Sequence, residues 1–413
     1  MKFLRIFFLL TMGFYSLNAH DDKRIEQAQT EHSLRDISQD VVRIEREPIG
    51  RLNGQLRTMY AGYHQRATGV TDTYATAMGG TLNFISQDIK GFSFGAELAL
   101  SKDLNFATGE RTQGKNNAEL SSSDGRYTAL SQAYLSYSYD KLKLQAGRIL
   151  IDTPLADSDD ITMIHNTFSG GVASYEQSGF TWMLGHLSKW QGTDAGLDTP
   201  WTKTGENGTN FGGVSYADGL EFNLWYYNIT HFTNAFYTDM GYLYHLNSTT
   251  DLHMGAQYLH ESQLSGSGIN ADIYGLLGEV FIGDATLSCA YNYASKNGVN
   301  ESSFSGFGGG TLYTSMDTMI LNAITNNRSA AALVSRISYV LNEINFTYAY
   351  GNFRGHADDA GVKADIVEQD IVVDYSYKEF TFALTYSISQ DRQSGIKTDN
   401  DWERTELLFA YNF

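Results

Sequence analysis

The chain has 413 residues, with 29 lysines and arginines against 47 aspartates and glutamates, a formal charge of −18. Such an excess of negative charge repels backbone phosphates and excludes nucleic acid as a partner. Beyond the amino end no apolar run reaches the roughly 18 residues of a spanning helix, so crossing a bilayer would require strands. The 40 glycines, 27 tyrosines and 23 phenylalanines against 3 prolines suit strands, tight turns and aromatic belts.

In chain order, Lys2 and Arg5 precede an apolar run from Ile6 to Phe14, and Leu17-Asn18-Ala19 puts a small residue at the cut. Residues 1–19 therefore read as an export signal, with the mature chain starting near His20. Losing Lys2 and Arg5 leaves 27 basic against 47 acidic side chains, a charge of −20. Cys289, the only cysteine, is far from the cleavage site, which argues against a lipoprotein, and a lone thiol forms no internal disulfide. Residues 20–50 are a separate periplasmic segment. There Leu34, Ile37, Val41 and Ile44 have helical spacing within a charged stretch, and Pro48 and Gly50 act as breakers. A solvated tail or short helix at the barrel mouth, and a lumen plug or oligomerising coil, are both open readings.

From residue 51 to 413 the signal is alternation. A strand presents successive side chains to opposite faces, and in a membrane barrel the apolar set meets lipid while the polar set lines water. The run from Phe380 to Ser389 alternates without a break, and so does the run from Phe92 to Leu100, which puts Glu97 inside. Further runs cover residues 142–147, 220–226, 252–258, 287–293, 344–350 and 371–377. Amphipathic helices would repeat every three to four residues instead. Short reversals at 86–91, 140–141, 178–179, 218–219, 247–250, 283–284, 342–343 and 378–379 interleave with long polar or glycine-rich links at 105–126, 152–170, 193–208 and 297–328. The predicted architecture is an all-β transmembrane antiparallel barrel of about 18 strands, with residues 75–85 and 170–177 weakly patterned. In the last run Leu407, Phe409, Tyr411 and Phe413 share one face, and Arg404, Glu406, Ala410 and Asn412 the other.

At residues 146–171 the chain reads AGRILIDTPLADSDDITMIHNTFSGG. This stretch resembles the inward loop of the OprD family of outer-membrane porins, in its Gly147-Arg148 strand end, Thr153-Pro154 step, Ser158-Asp159-Asp160 run and Asn166-Thr167-Phe168. A second patch at 308–316, GGGTLYTSM, resembles one of the family's glycine-rich extracellular loops. The chain departs from the family in having Thr162 where an arginine is common and His165 where a proline is. The resemblance implies a location in the bacterial outer membrane, a constriction loop folded inward, and passive diffusion of small polar solutes, amino acids or small carboxylates, along a lane of arginines opposed by carboxylates. It also implies that the terminal aromatic Phe413 addresses the barrel assembly machinery. The barrel would stand alone or as a trimer.

Within that frame the candidate constriction and solute-guiding residues are Arg57, Lys143, Arg148, Asp152, Asp157, Asp159, Asp160, Arg336 and Arg404. Alternation also turns Lys189, Glu97, Glu221, Glu279, Asp370, Asp374 and Glu406 inward, and rings of charge set ion preference at close quarters. The opposing reading is that these charges only brace one another and hydrate the pore; for Arg148, at a strand end, a salt bridge to the folded loop is the expectation. No catalytic residue, cofactor or metal is expected. Asp157, Asp159 and Asp160 could offer oxygens to calcium, but no EF-hand spacing follows, and neither a zinc-protease nor a Gly-x-Ser-x-Gly motif occurs. Two other functions compete: a barrel enzyme of phospholipase or protease type, for which His186, His231 and His260 are the upper-strand candidates, and a surface adhesin built on the long loops.

Overall fold

The computed structural model describes residues 49–105, 115–159, 161–199, 201–298 and 300–413. The segment read as an export signal and periplasmic stretch falls outside these residues up to position 48.

Eighteen long strands follow one another: β1 (Gly50–Gln65), β2 (Thr73–Ser86), β3 (Phe92–Asp103), β4 (Arg126–Tyr139), β5 (Leu142–Ile149), β6 (Thr167–Gln177), β7 (Phe180–Gln191), β8 (Thr209–Asp218) and β9 (Leu220–Ile229). They continue as β10 (Thr233–Asn247), β11 (Thr250–Gln263), β12 (Ala271–Ile282), β13 (Ala285–Lys296), β14 (Ala330–Leu341), β15 (Ile344–Gly355), β16 (Ala364–Tyr377), β17 (Phe380–Gln393) and β18 (Trp402–Asn412). Each pairs antiparallel with its sequence neighbours, and β1 closes the wall on β18, with Met59 opposite Leu408. Closure removes both sheet edges, so every strand has two hydrogen-bonding neighbours. Gly54 and Phe413 exchange both backbone hydrogen bonds at 2.9 Å, which draws the terminal aromatic into the closing seam.

The wall is inverted relative to a soluble protein. Along β17, Phe380 and Phe382 are exposed while Thr381, Thr385 and Ser387 are buried. The outward row forms an apolar band, and near the short turns it is aromatic: Phe92, Tyr139, Phe180, Tyr244, Tyr339 and Phe380 are all exposed. Cross-strand pairs such as Phe180 with Tyr216, ring centroids 4.5 Å apart, consolidate this girdle at a membrane-interface level. The turns at that end are tight. Ser178 and Gly179 both take positive φ, 52° and 78°, as a two-residue hairpin matched to the sheet twist requires.

The two weakly patterned segments are full strands, β2 and β6, and paired glycines explain the weak pattern. A Cβ on Gly80, whose φ is 131°, would lie 1.8 Å from the Gln55 carbonyl oxygen. One on Gly170 would lie 2.0 Å from that of His186. Positions crowded by the neighbouring backbone admit no side chain and so contribute nothing to periodicity.

Two bulges reset the facing rule. Glu97 pairs with Gln132 and Leu98 with Leu130, so Ser131 is extra in β4, and Ser131 and Gln132 are both buried. In β7 Ser169 pairs with Lys189 and Gly170 with Leu187, so Ser188 is extra. Beyond it Trp190 turns inward onto Phe168 and Phe307, while Lys189 is exposed. The lumen position expected for Lys189 is therefore corrected: a bulge shifts parity by one.

Candidate functional site: the pore constriction

The long links do not stand away from the barrel; three of them fold into it. Residues 150–159 leave β5 and form a two-stranded hairpin, Asp152 pairing with Asp157 and Thr153 with Ala156. Ile151, Leu155 and Ala156 are at most 4% exposed, packed with Phe168, Tyr227 and Phe307. An apolar hairpin tip needs an apolar bed, and the inner faces of β8 to β12 supply it through Phe211, Trp225, Tyr227, Tyr237, Leu259 and Ile273. The backbone is also held: Leu155 N–H donates to the Tyr227 hydroxyl at 3.3 Å. Phe307 N–H donates to Leu155 O and Asp157 N–H to Phe307 O, each at 2.9 Å.

Phe307 belongs to the link after β13, so the patch at 308–316 is corrected from an extracellular loop to a second inward element. Thr311 binds the Pro154 carbonyl, and Gln257 Nε2 donates to Thr311 O at 2.8 Å. Further on, Thr314 N–H donates to Asn292 Oδ1 at 3.1 Å and Arg336 Nη2 to Ser315 O at 2.7 Å. The link before β4 is the third. Leu120 is fully buried in a cluster with Met163 and Ile164, against alanines 61, 75, 77 and 99 of the β1–β3 wall. Alanine on the wall leaves the volume these loop side chains fill.

The sequence-predicted residues divide by location. Arg57 faces inward and binds the constriction loop through Nη1 to the Thr162 carbonyl, with Nε on Gln55 Oε1. Arg336 and Arg404 are also inward and buried. Arg404 meets three carboxylates: Nη1 meets Asp317 Oδ2 at 2.7 Å, and Nη2 meets both Glu119 and Glu406. Lys143 lies one residue into β5 from a short turn, and six residues separate it from Ile149, where the loop departs. At about 3.3 Å per residue that distance is about 20 Å, so Lys143 belongs to the inner mouth and not to the constriction.

Arg148 is placed differently. It shares the parity of Leu144, an exposed residue of β5. Its Nη1 donates to the Leu130 carbonyl at 2.6 Å, and its guanidinium stands 4.9 Å from the Trp201 ring centroid. Among the described residues Arg148 makes this stacking contact in place of the salt bridge expected to the folded loop.

The acidic run is gathered. Asp152 and Asp157 face each other across the hairpin, and Asp159 is near enough to influence Asp157. Burial, and then the neighbouring carboxylates of Asp152 and Asp159, push the Asp157 carboxyl well above the usual carboxylate range. Burial likewise raises Asp194, although Asn166 Nδ2 donates to it at 2.6 Å. Asp160 lies outside the described residues, and among those described no three His, Cys, Asp or Glu side chains form a metal-holding group. The two departures from the family pattern have structural roles. Thr162 Oγ1 is 2.5 Å from Thr193 Oγ1, and His165 Nε2 is 2.7 Å from Glu97 Oε1 with both side chains buried.

Asp317, Glu119 and Glu368 are inward carboxylates of the candidate site that sequence reasoning missed. They either lie in links without periodicity or, for Glu368, belong to an inward row whose partner is a loop: Thr318 N–H donates to Glu368 Oε1 at 2.9 Å. The histidines of the enzyme reading are dispersed. His186 meets Asn210 on β8, His231 meets Glu206 in a link, and His260 meets Asp272 on β12.

No family model matches the sequence, and no curated protein does. Solved structures do. The chain is similar to OccAB4 of Acinetobacter baumannii, at 15% identity and TM-score 0.73 over 89% of this chain and 99% of that one. It is similar to OpdK of Pseudomonas aeruginosa, solved with vanillate, at 17% and 0.70 over 88% and 98%. A BenF-like porin of Pseudomonas fluorescens Pf-5 gives 14% and 0.73 over 88% and 98%. With its closed wall of 18 antiparallel strands and inward loops, the chain has the fold of the OprD and Occ outer-membrane porins.

Proposed function

We propose that this chain is a bacterial outer-membrane porin through which small polar solutes, amino acids or small carboxylates, diffuse passively. The observation that carries the reading is the inversion of the wall combined with loops docked inside it: exposed apolar side chains outside, and Arg57, Glu97, Asp370 and Arg404 buried inside. An apolar exterior belongs in lipid, and an interior lined with paired charges admits hydrated solutes while discriminating among them. The carboxylate of the vanillate solved with OpdK fits the same chemistry of inward arginines. In this reading residues 1–19 direct export, residues 20–50 remain periplasmic, and residues 51–413 form the pore. Phe413, hydrogen-bonded to Gly54 in the closing seam, presents the assembly signal.

The reading is of a channel and not a barrel enzyme, since His186, His231 and His260 occupy separate strands and links with separate partners. The adhesin reading loses ground where the links around Leu120, Leu155 and Phe307 are committed to the interior. The test is conductance of the purified protein in planar bilayers, with liposome swelling in glycine, acetate and sucrose. Stepwise channels with faster swelling in glycine and acetate than in sucrose are expected. Bilayers that stay silent, or lipid or peptide hydrolysis by the pure protein, would overturn the reading.

A further inference from the structure

Residues that face each other across strands define a row running round the wall, and one such row is unusual in content. His253 pairs with Glu279, Glu279 with Ser288, Ser288 with Arg336, Arg336 with Ala349, Ala349 with Asp370, Asp370 with Ser387, and Ser387 with Arg404. The row climbs, because strands of a barrel are staggered. His253 is three positions into a strand that starts at the short-turn end, whereas Arg404 is two positions into one that starts at the loop end. From Glu279 onward the charges alternate in sign on every second strand, Glu279, Arg336, Asp370, Arg404, about 10 Å apart at the usual strand spacing.

The upper part of this row is covered by a strap, residues 315–319 of the second inward link. Asp317 sits on it in a particular way. Its carboxylate accepts from Arg404 Nη1 at 2.7 Å and from Ser387 Oγ at 2.9 Å, and its own backbone N–H donates to Asp370 Oδ2 at 3.3 Å. One residue thus presents a carboxylate to a guanidinium and a hydroxyl, and an N–H donor to a carboxylate. An α-amino acid would present the same two groups, with a stronger donor. The wall groups retain capacity: Asp370 is fully buried and Arg404 is 6% exposed, yet Asp370 Oδ1 and Arg404 Nε have no hydrogen-bond partner among the described residues.

We propose that Asp370, Ser387 and Arg404 form a binding step for solutes carrying both an amine and a carboxylate, and that Asp317 fills this step as a tethered internal competitor. The inference rests on the pore reading and names its solute class. Exchange keeps a carboxylate on Arg404 and sets an ammonium, in place of a neutral N–H, against the Asp370 carboxylate. What the strap loses in lifting is the grip of Glu368 on Thr318 and Met319, the Arg336 bond to the Ser315 carbonyl, and the burial of Met316 and Met319. A flexibly tethered group competes at an effective concentration on the order of millimolar, and these added holds raise the concentration at which a free amino acid takes the place of Asp317. The step is therefore closed when solute is scarce and opens as solute arrives.

The experiment uses the purified full chain in planar bilayers, with glycine as probe and acetate and methylammonium as single-charge controls. Asp317→Asn keeps the backbone donor and removes the competing charge. It is expected to lower the glycine concentration giving half-maximal change in current about tenfold, the worth of one charge-assisted hydrogen bond. Acetate should gain less and methylammonium nothing. Thr318→Ala weakens only the hold of Glu368 on the strap and should move the glycine response the same way by a smaller factor, which keeps the test alive if the first variant fails to fold. Conducting variants with an unchanged glycine response would overturn the proposal. So would an equal rise in current for all three probes, because the strap would then be a plain obstruction. A wild-type chain that forms no channel would instead sink the pore reading, and this step with it.

Discussion

Replacing Leu155 with alanine removes three carbons from a side chain that is 1% exposed, at the tip of a hairpin whose bed is Tyr227, Phe307 and Phe168. Substitutions of this kind cost about 2 to 5 kcal/mol, depending on how far the site collapses around the void. The hairpin is tethered at both ends and backed by a rigid wall, so a middle value of about 3 kcal/mol is appropriate. At about 1.4 kcal/mol per factor of ten, that is a rise of about a hundredfold in the undocked fraction. The loss belongs to the docking of the loop and not to the barrel, whose strands pair without it. Amide hydrogen exchange reads this directly, because protection reports the free energy of local opening even when the open form is rare. The amides to follow are Asp157, bonded to Phe307 O, and Phe307, bonded to Leu155 O. Both should lose about two decades of protection in L155A, while Leu259 and Ile273, register partners in β11 and β12, keep theirs. Unchanged loop protection would show that apolar packing does not hold the constriction. An equal loss at Leu259 and Ile273 would show that loop and wall open as one unit.

A carboxyl raised by docking holds its proton more tightly in the docked state, so Asp157 favours docking fully below about pH 4 and progressively less as pH climbs towards its raised value. Loop-amide protection should accordingly fall from acidic to neutral pH, and Asp157→Asn should flatten most of that slope, Asp194 supplying the remainder; a slope unaltered by the substitution would refute the assignment. Gly80→Ala places a methyl against the Gln55 carbonyl in the β1–β2 pair, and the protein should fail to give the compact, heat-sensitive band of a folded barrel on detergent gels. Arg57→Gln should shift the reversal potential in a potassium chloride gradient towards cations, while Arg148→Ala, over Trp201, should leave it where it was. A shift of equal size in both would mean that facing the lumen does not decide the selectivity.

The wall was readable from sequence because a barrel strand repeats one local rule, polar in and apolar out, and tight turns announce themselves by composition. Phe380 to Ser389 is the clearest case, and its burial alternates as its residue types do. The rule fails where geometry departs from strict alternation. Nothing in the residue types at Ser131 or Ser188 marks an extra residue, since a bulge is a property of the ladder between two strands. For that reason Lys189 was turned to the wrong side. The docking of the links was less readable still. Leu155 and Phe307 are apolar residues in polar, glycine-rich stretches, and what they bury against, Tyr227, is distant in sequence. The acidic hairpin could be placed by family resemblance, whereas Asp317 and Glu119 had no periodicity to reveal which cation they meet.

Facing and adjacency are separate pieces of information, and only the first is local. Parity alone puts Arg336, Asp370 and Arg404 inside, but it does not say that they share a row. Sliding β16 by two residues would leave every one of its side chains on the same face, yet Glu368 or Val372 would then stand between Ala349 and Ser387 in place of Asp370. The polarity of the pore would hardly change. The pairing of Asp370 with the Asp317 amide would be lost, and a slide that brings in Val372 would leave no carboxylate there to meet an amine. The chemistry of such a channel therefore resides in the stagger of its strands, which is set by closure of the whole wall and by the bulges within it.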